Sequence, residues 1–259
     1  MEPSILATSQ NGICTITLNR PAVFNSFNQE MGRAFQQALD AAAADHSVRC
    51  LVITGNGKAF CAGQDLKEVT APDAPDFNEI VEQTYNESIR RIRSMEKPVV
   101  GAINGVAAGA GANIALACDL TVAKSSALFI QAFSKIGLIP DSGGTWFLPR
   151  LVGMQRAAAL AFLGDKLNAA EAEAIGLIHK SVADADFDAE IGKLATRLAQ
   201  MPTRGLGLTK RAFNSGWDAK LSDHLTTERD LQMEASKTAD YAEGVAAFLE
   251  KRAPQFKGS

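Results

Sequence analysis

The sequence predicts an α/β protein built on a largely parallel sheet, followed by a helical C-terminal part. Three observations lead there. Short apolar runs of strand length alternate with runs of helical spacing through most of the chain; strand signals stop from about residue 186; and four helical patterns then succeed one another. With 259 residues, 46% of them hydrophobic, the chain can bury a large core. "ICTITLN" alternates apolar and polar residues as a half-buried strand does, "NQEMGRAFQQALDAAAAD" has helical spacing, and "CLVIT" is a β-rich run ending in "GNG". A second round follows: a helix across "FNEIVEQTYNESIRRIRSM", a strand "PVVGAI", a small-residue helix around "GANIALA" and a strand "DLTVA". Right-handed crossovers would place the helices on the sheet faces and make the loops after the strands the ligand crevice. "TAPDAPD" is a Pro-rich, acidic linker. "IGKLATRLAQM", "RGLGLTKRAFNSG", "LSDHLTTERDLQMEASK" and "ADYAEGVAAFLEKR" form the helical end.

Composition narrows the function. A formal charge of −3, with no basic run interleaved with aromatics, argues against a nucleic-acid binder and favours small-molecule ligands. The start "MEPSILATSQNG" has no charged region leading into an apolar one, and no apolar run approaches the roughly 20 residues of a membrane span. A cytoplasmic protein that does not engage membranes is expected. Cys14, Cys50, Cys61 and Cys118 lack CxxC spacing and a neighbouring histidine, so they read as buried thiols, with no metal site and no disulfide.

Two loop-to-helix junctions, "GKAFCAGQDL" and "NGVAAGAGANIALACD", bring small residues to places where backbone must approach something closely. Gly63 suits a turn, and Gly109 and Gly111 suit tight packing of a helix on a sheet; equally, the helix-start N–H groups suit an anion or oxyanion. A dinucleotide fingerprint is disfavoured, because "GAGANI" fails its last glycine and lies deep in the chain. The third stretch, "IGLIPDSGGTWFLPR", sets Asp141 among apolar residues that would desolvate it and raise its pKa. The plainer alternative makes Asp141 a cap for the helix opening at "GGTW".

"FCAGQDL", "NGVAAGAG" and "IGLIPDSGG", in this order and between "TITLNRPAVFNSF" and "YAEGVAAFLEKRAPQF", resemble the crotonase (enoyl-CoA hydratase/isomerase) superfamily over nearly the whole chain. The resemblance implies a spiral of repeated ββα units over residues 1–199 and a helical region over 200–259 that assembles homotrimers, often paired as hexamers. It implies acyl-CoA thioester substrates, with CoA as part of the substrate and no separate cofactor. It assigns an oxyanion hole to the N–H groups of Gln64 and Ala110, the latter following Gly109. It lays CoA along Val23, Phe24, Ala62, Gly63, Gln64, Asp65 and Leu66; for Asp65 a turn residue capping its own loop is the competing role.

Family members that hydrate a double bond use two glutamates, whose places here fall on Asn113 and Phe133, neither of which takes up a proton. Asp141 occupies the position of the isomerase aspartate, among Phe133, Ile139, Pro140 and Trp146. An aryl-CoA dehalogenase carries an aspartate there too, but needs a histidine, and His46, His179 and His224 avoid the motifs. Among isomerases, the motifs resemble those acting on ring-epoxidised phenylacetyl thioesters in phenylacetate catabolism, with Phe133 and Trp146 flanking the flat ring. A general Δ3-Δ2-enoyl-CoA isomerase, an enoyl-CoA hydratase and a non-catalytic acyl-CoA-binding relative are the alternatives.

Overall fold

The computed structural model describes residues 2–259. The chain opens with an antiparallel hairpin, β1 (Ile5–Gln10) and β2 (Ile13–Leu18), turned by Asn11 and Gly12 at φ 53° and 77°. Two successive left-handed residues are what a type I′ turn requires, and Asn-Gly is the pair that tolerates them. Helix α1 (Gln29–Ala44) starts where the Asn28 side chain accepts the Met31 N–H, and it buries Met31, Phe35, Leu39 and Ala42 along one stripe.

A long strand, a short strand and helical structure then recur. The first round is β3 (Cys50–Gly55), β4 (Ala59–Cys61), the short helices α2 (Leu66–Val69) and α3 (Phe77–Glu79), a π-helical turn Ile80–Asn86, and α4 (Glu87–Ser94). The second is β5 (Val99–Ile103), β6 (Val106–Ala108) and α5 (Ala110–Ala117). The third is β7 (Leu120–Lys124), β8 (Leu128–Ile130) and α6 (Gly144–Val152). The long strands join one sheet, in the order β1-β2-β3-β5-β7-β10, parallel apart from the opening hairpin; the short ones join a second, β4-β6-β8-β9. This winding between two sheets is the ββα spiral. After α7 (Met154–Leu163), β9 (Lys166–Asn168), α8 (Ala169–Ala174) and β10 (Lys180–Val182) close the sheets. Helices α9 (Phe187–Ala199), α10 (Thr203–Gly216), α11 (Leu221–Ala235) and α12 (Ala239–Glu250) follow. Among the described residues, no helix is long and apolar enough to cross a membrane.

Alternation along β3 divides the core. Leu51 and Ile53 enter the large cluster with α1, α4 and α5, whereas Cys50 and Val52 face the opposite way, onto Phe187, Ala195 and Ala199 of α9. All four cysteines are buried and unbridged, and burial pushes the Cys50, Cys61 and Cys118 thiols up to about 12.

Helix α10 is pinned to the sheet by charge. Buried Lys210 donates to Asp119 at 2.8 Å and to the Ile92 carbonyl at 2.7 Å, while Arg93 donates to the other Asp119 oxygen at 3.1 Å. Asp119 thus serves two cations, and Asp119→Ala leaves both without a counter-charge. The expected loss is about 3 kcal/mol of unfolding free energy, measured by urea denaturation; a variant within 0.5 kcal/mol of the parent, roughly the size of a surface substitution, would show that this cluster does not hold α10.

Candidate active site

Two backbone turns meet here. Gly63, at φ 90°, ends the segment leaving β4; Gly109, at φ 54°, begins α5. A side chain at either position would be strained, and a Cβ on Gly63 would stand 3.0 Å from the Ala108 carbonyl oxygen. The same construction puts that Cβ 3.5 Å from the Ala110 nitrogen, so the two loops are in contact. Helix α5 comes this close because its second residue is Gly111: a Cβ there would lie 2.3 Å from the Cys61 carbonyl oxygen.

The Gln64 main chain is aligned by a parallel bridge to Phe27. Phe27 donates to the Gly63 carbonyl at 2.7 Å and accepts from the Asp65 N–H at 2.8 Å, so the Gln64 N–H points away from that pairing. Ala110 is the first residue of α5, where N–H groups have no intrahelical acceptor, and its helical backbone accommodates a Cβ. Neither N–H is among the donors used by the surrounding turns and loops. Together they form a pair of adjacent free donors, with the positive end of a helix behind one of them.

Asp141 sits on the turn leading into α6. Burial raises its pKa, while a hydrogen bond from the Ser142 hydroxyl to Oδ1, 2.9 Å, acts in the opposite sense. Its side chain is not a helix cap: Gly143 occupies that position, and it is the Asp141 carbonyl that accepts from the Gly144 N–H at 2.7 Å. Asn113, fully buried on α5, donates to the same carbonyl at 2.8 Å and accepts from Gln131 at 2.8 Å. The residue that sequence reading treated only as a missing acid anchors the turn that carries Asp141. Ser142, buried at φ 50°, adds local strain to that turn.

The other expected site residues separate into two groups. Phe133 is buried, its ring 3.8 Å from where a Cβ on Gly109 would stand, so it lines the turn that opens α5. Val23 closes a short 3-10 turn, Phe24 is exposed at φ 53° and its carbonyl accepts the Ala62 N–H at 3.0 Å, and Leu66 is exposed. The Asp65 side chain is committed to Arg20 at 2.8 Å and to the Lys67 N–H at 3.1 Å, the loop-capping role. Two expectations are corrected. Ile139 is 77% exposed and does not desolvate Asp141. Trp146 meets Phe147 edge to face and Trp217 at a tilt, ring centroids 4.9 and 5.0 Å apart, under the Arg150 guanidinium, in the wall of a cavity of about 750 Å³ shared with α10. Its ring contacts are with these two residues and not with Phe133.

Sequence reasoning missed Tyr85 and Glu68. The Tyr85 hydroxyl donates to Gln64 Oε1 at 2.8 Å and Gln64 Nε2 donates to Glu68 Oε2 at 2.9 Å. Tyr85 reads in sequence as one more apolar position of a helix; the π turn that aims it leaves no compositional mark.

Known proteins resemble this chain over nearly its whole length. The family model described as enoyl-CoA hydratase/isomerase matches residues 8–259. The 1,2-epoxyphenylacetyl-CoA isomerase of Escherichia coli is 49% identical over 98% of both chains. The trans-2-decenoyl-[acyl-carrier-protein] isomerase of Streptococcus mutans is 37% identical, again over 98% of both. A crystal structure of an enoyl-CoA hydratase subunit from Geobacillus kaustophilus superposes with a TM-score of 0.92 at 36% identity, covering 99% of this chain and 98% of that one.

The raised Asp141 pKa makes a stability prediction. A carboxyl whose folded pKa lies above its unfolded one favours the fold at low pH and loses that contribution as pH rises through the folded value. Asp141→Asn should therefore melt higher than the parent at pH 7, and the difference should vanish below the ordinary value of 3.8. Scanning calorimetry at both pH values checks it.

Proposed function

This chain belongs to the enoyl-CoA hydratase/isomerase family, and we propose that it is an isomerase of acyl-CoA thioesters with Asp141 as its single base. The observation that carries the proposal is the pairing of one desolvated carboxylate, Asp141, with non-acidic Asn113 and Phe133 where a water-adding site needs carboxylates. The Asn113 amide is engaged at both ends by protein, one N–H on the Asp141 carbonyl and its oxygen on Gln131, and it has no group that could take a proton from an attacking water.

In the proposed reaction on a β,γ-enoyl thioester, Asp141 takes a proton from the α-carbon and the electron pair moves onto the thioester oxygen. The N–H groups of Gln64 and Ala110 hold that oxygen, each contributing about 3 kcal/mol. The same carboxyl then returns the proton at the γ-carbon, giving the α,β isomer. The 49% identical relative supports a second substrate, a ring-epoxidised phenylacetyl thioester. There the strained epoxide supplies the drive for expansion to an oxepin, and Asp141 again only moves a proton. Both products contain the atoms of their substrates, so CoA enters as part of the substrate and no further cofactor is needed. The exposed apolar residues Phe162 and Leu163 of α7 and Phe248 and Leu249 of α12 support assembly into trimers or hexamers.

Three thioesters test the activity, with ultraviolet and mass-spectrometric detection: a β,γ-enoyl-CoA, an aryl epoxide-CoA made by a coupled epoxidase, and crotonyl-CoA. The first two should isomerise, Asp141→Asn should lower both rates about 100-fold or more, and crotonyl-CoA should not be hydrated. Rapid hydration would sink the isomerase reading, and conversion of the aliphatic substrate alone would make the protein a general enoyl-CoA isomerase. Static light scattering should give a mass of at least three chains; a stable monomer would refute assembly.

A further inference from the structure

Gln64 is held at its side chain as well as its backbone. Its amide bridges Tyr85 and Glu68, and the second Glu68 oxygen accepts the Gln29 N–H at 2.9 Å, at the start of α1. A carboxylate only accepts, so the direction of the chain is determined: Gln64 turns Nε2 to Glu68 and Oε1 to Tyr85, and the phenol donates. Tyr85 never loses that proton near neutral pH. Burial, and then the nearby Cys61 and Asp141, raise its pKa well above the ordinary tyrosine value. Four elements meet in this chain of hydrogen bonds: the loop after β4 with Gln64, helix α2 through Glu68, the π turn through Tyr85, and the positive end of α1 through Gln29, which bonds Glu68. The ring of Tyr85 is itself seated against Phe27, centroids 6.0 Å apart, and Phe27 is the residue that aligns the Gln64 main chain.

Resting on the proposed isomerase reaction, we propose that Tyr85 and Glu68 are positioning residues that clamp the Gln64 side chain and so keep its backbone N–H aimed at the enolate oxygen. The backbone bridge to Phe27 fixes Gln64 on one side only; the amide clamp fixes the other. Loosening it leaves CoA binding intact and degrades alignment in the transition state, so the loss falls on kcat.

A double-mutant cycle on a β,γ-enoyl-CoA tests this. Tyr85→Phe keeps the ring and removes the donor; Gln64→Met keeps the length and removes both hydrogen bonds. Each should lower kcat about 10-fold with KM changed less than about 2-fold, and the double variant should be no worse than Gln64→Met alone, because both break one linkage. Glu68→Gln, which has one acceptor oxygen for the two donors Gln29 N–H and Gln64 Nε2, should also lower kcat, and Glu68→Leu should lower it at least as much. Undiminished kcat in Tyr85→Phe, or losses that multiply in the double variant, would overturn the proposal. Asp141→Asn in the same assay separates the two levels: an inactive parent protein defeats the isomerase reading, while an active, Asp141-dependent parent with an unaffected Tyr85→Phe defeats only the clamp.

Discussion

The contact on which the site depends is the approach of helix α5 to the end of β4, where Gly111 lets the Cys61 carbonyl oxygen come nearer than any Cβ would allow. That contact, together with the pairing of β4 on β6 at Cys61 and Ala107, sets the separation of the Gln64 and Ala110 N–H groups, which belong to different ββα repeats. A donor pair for a developing charge must be in place before the charge appears, because reorganising at the moment of reaction would cost what the donors contribute. The rigidity therefore comes from backbone packed on backbone, with positive-φ turns at Gly63 and Gly109 on either side.

The same helix also holds the turn that carries Asp141. Asn113, one turn into α5, holds the Asp141 carbonyl, so the free N–H of Ala110 and the turn bearing the carboxylate share one rigid support. Burial makes Asp141 a stronger base, and the bond from Ser142 limits how far that goes. A site with a second carboxylate would spend this position on water; here the amide is spent on geometry. Exchange of chemistry within one fold then follows from what faces Asp141 and not from the fold itself.

Much of this was legible in the residues. Period-two and helical spacings identified β2, β3, β5 and β7, the parallel character of the main sheet and the four C-terminal helices, because each of those patterns is long enough to show its own repeat. The three-residue strands β4, β6 and β8 show no repeat at that length, so the second sheet was visible only through family resemblance. β1 was missed although Asn11-Gly12 marked its turn.

At the site, sequence alone determined which groups exist: one acid in an apolar stretch, two glycine-lined helix starts, and amide and phenyl groups where acids would hydrate. Tertiary structure decided what each side chain touches. It gave Trp146 to Trp217 and Arg150, exposed Ile139, committed Asp65 to Arg20, and drew Tyr85 and Glu68 onto Gln64. The physical reason is one of range. Spacing along the chain reports which face of its own helix or strand a residue occupies, whereas hydrogen bonds and ring contacts between elements depend on distances that only the packed backbone sets.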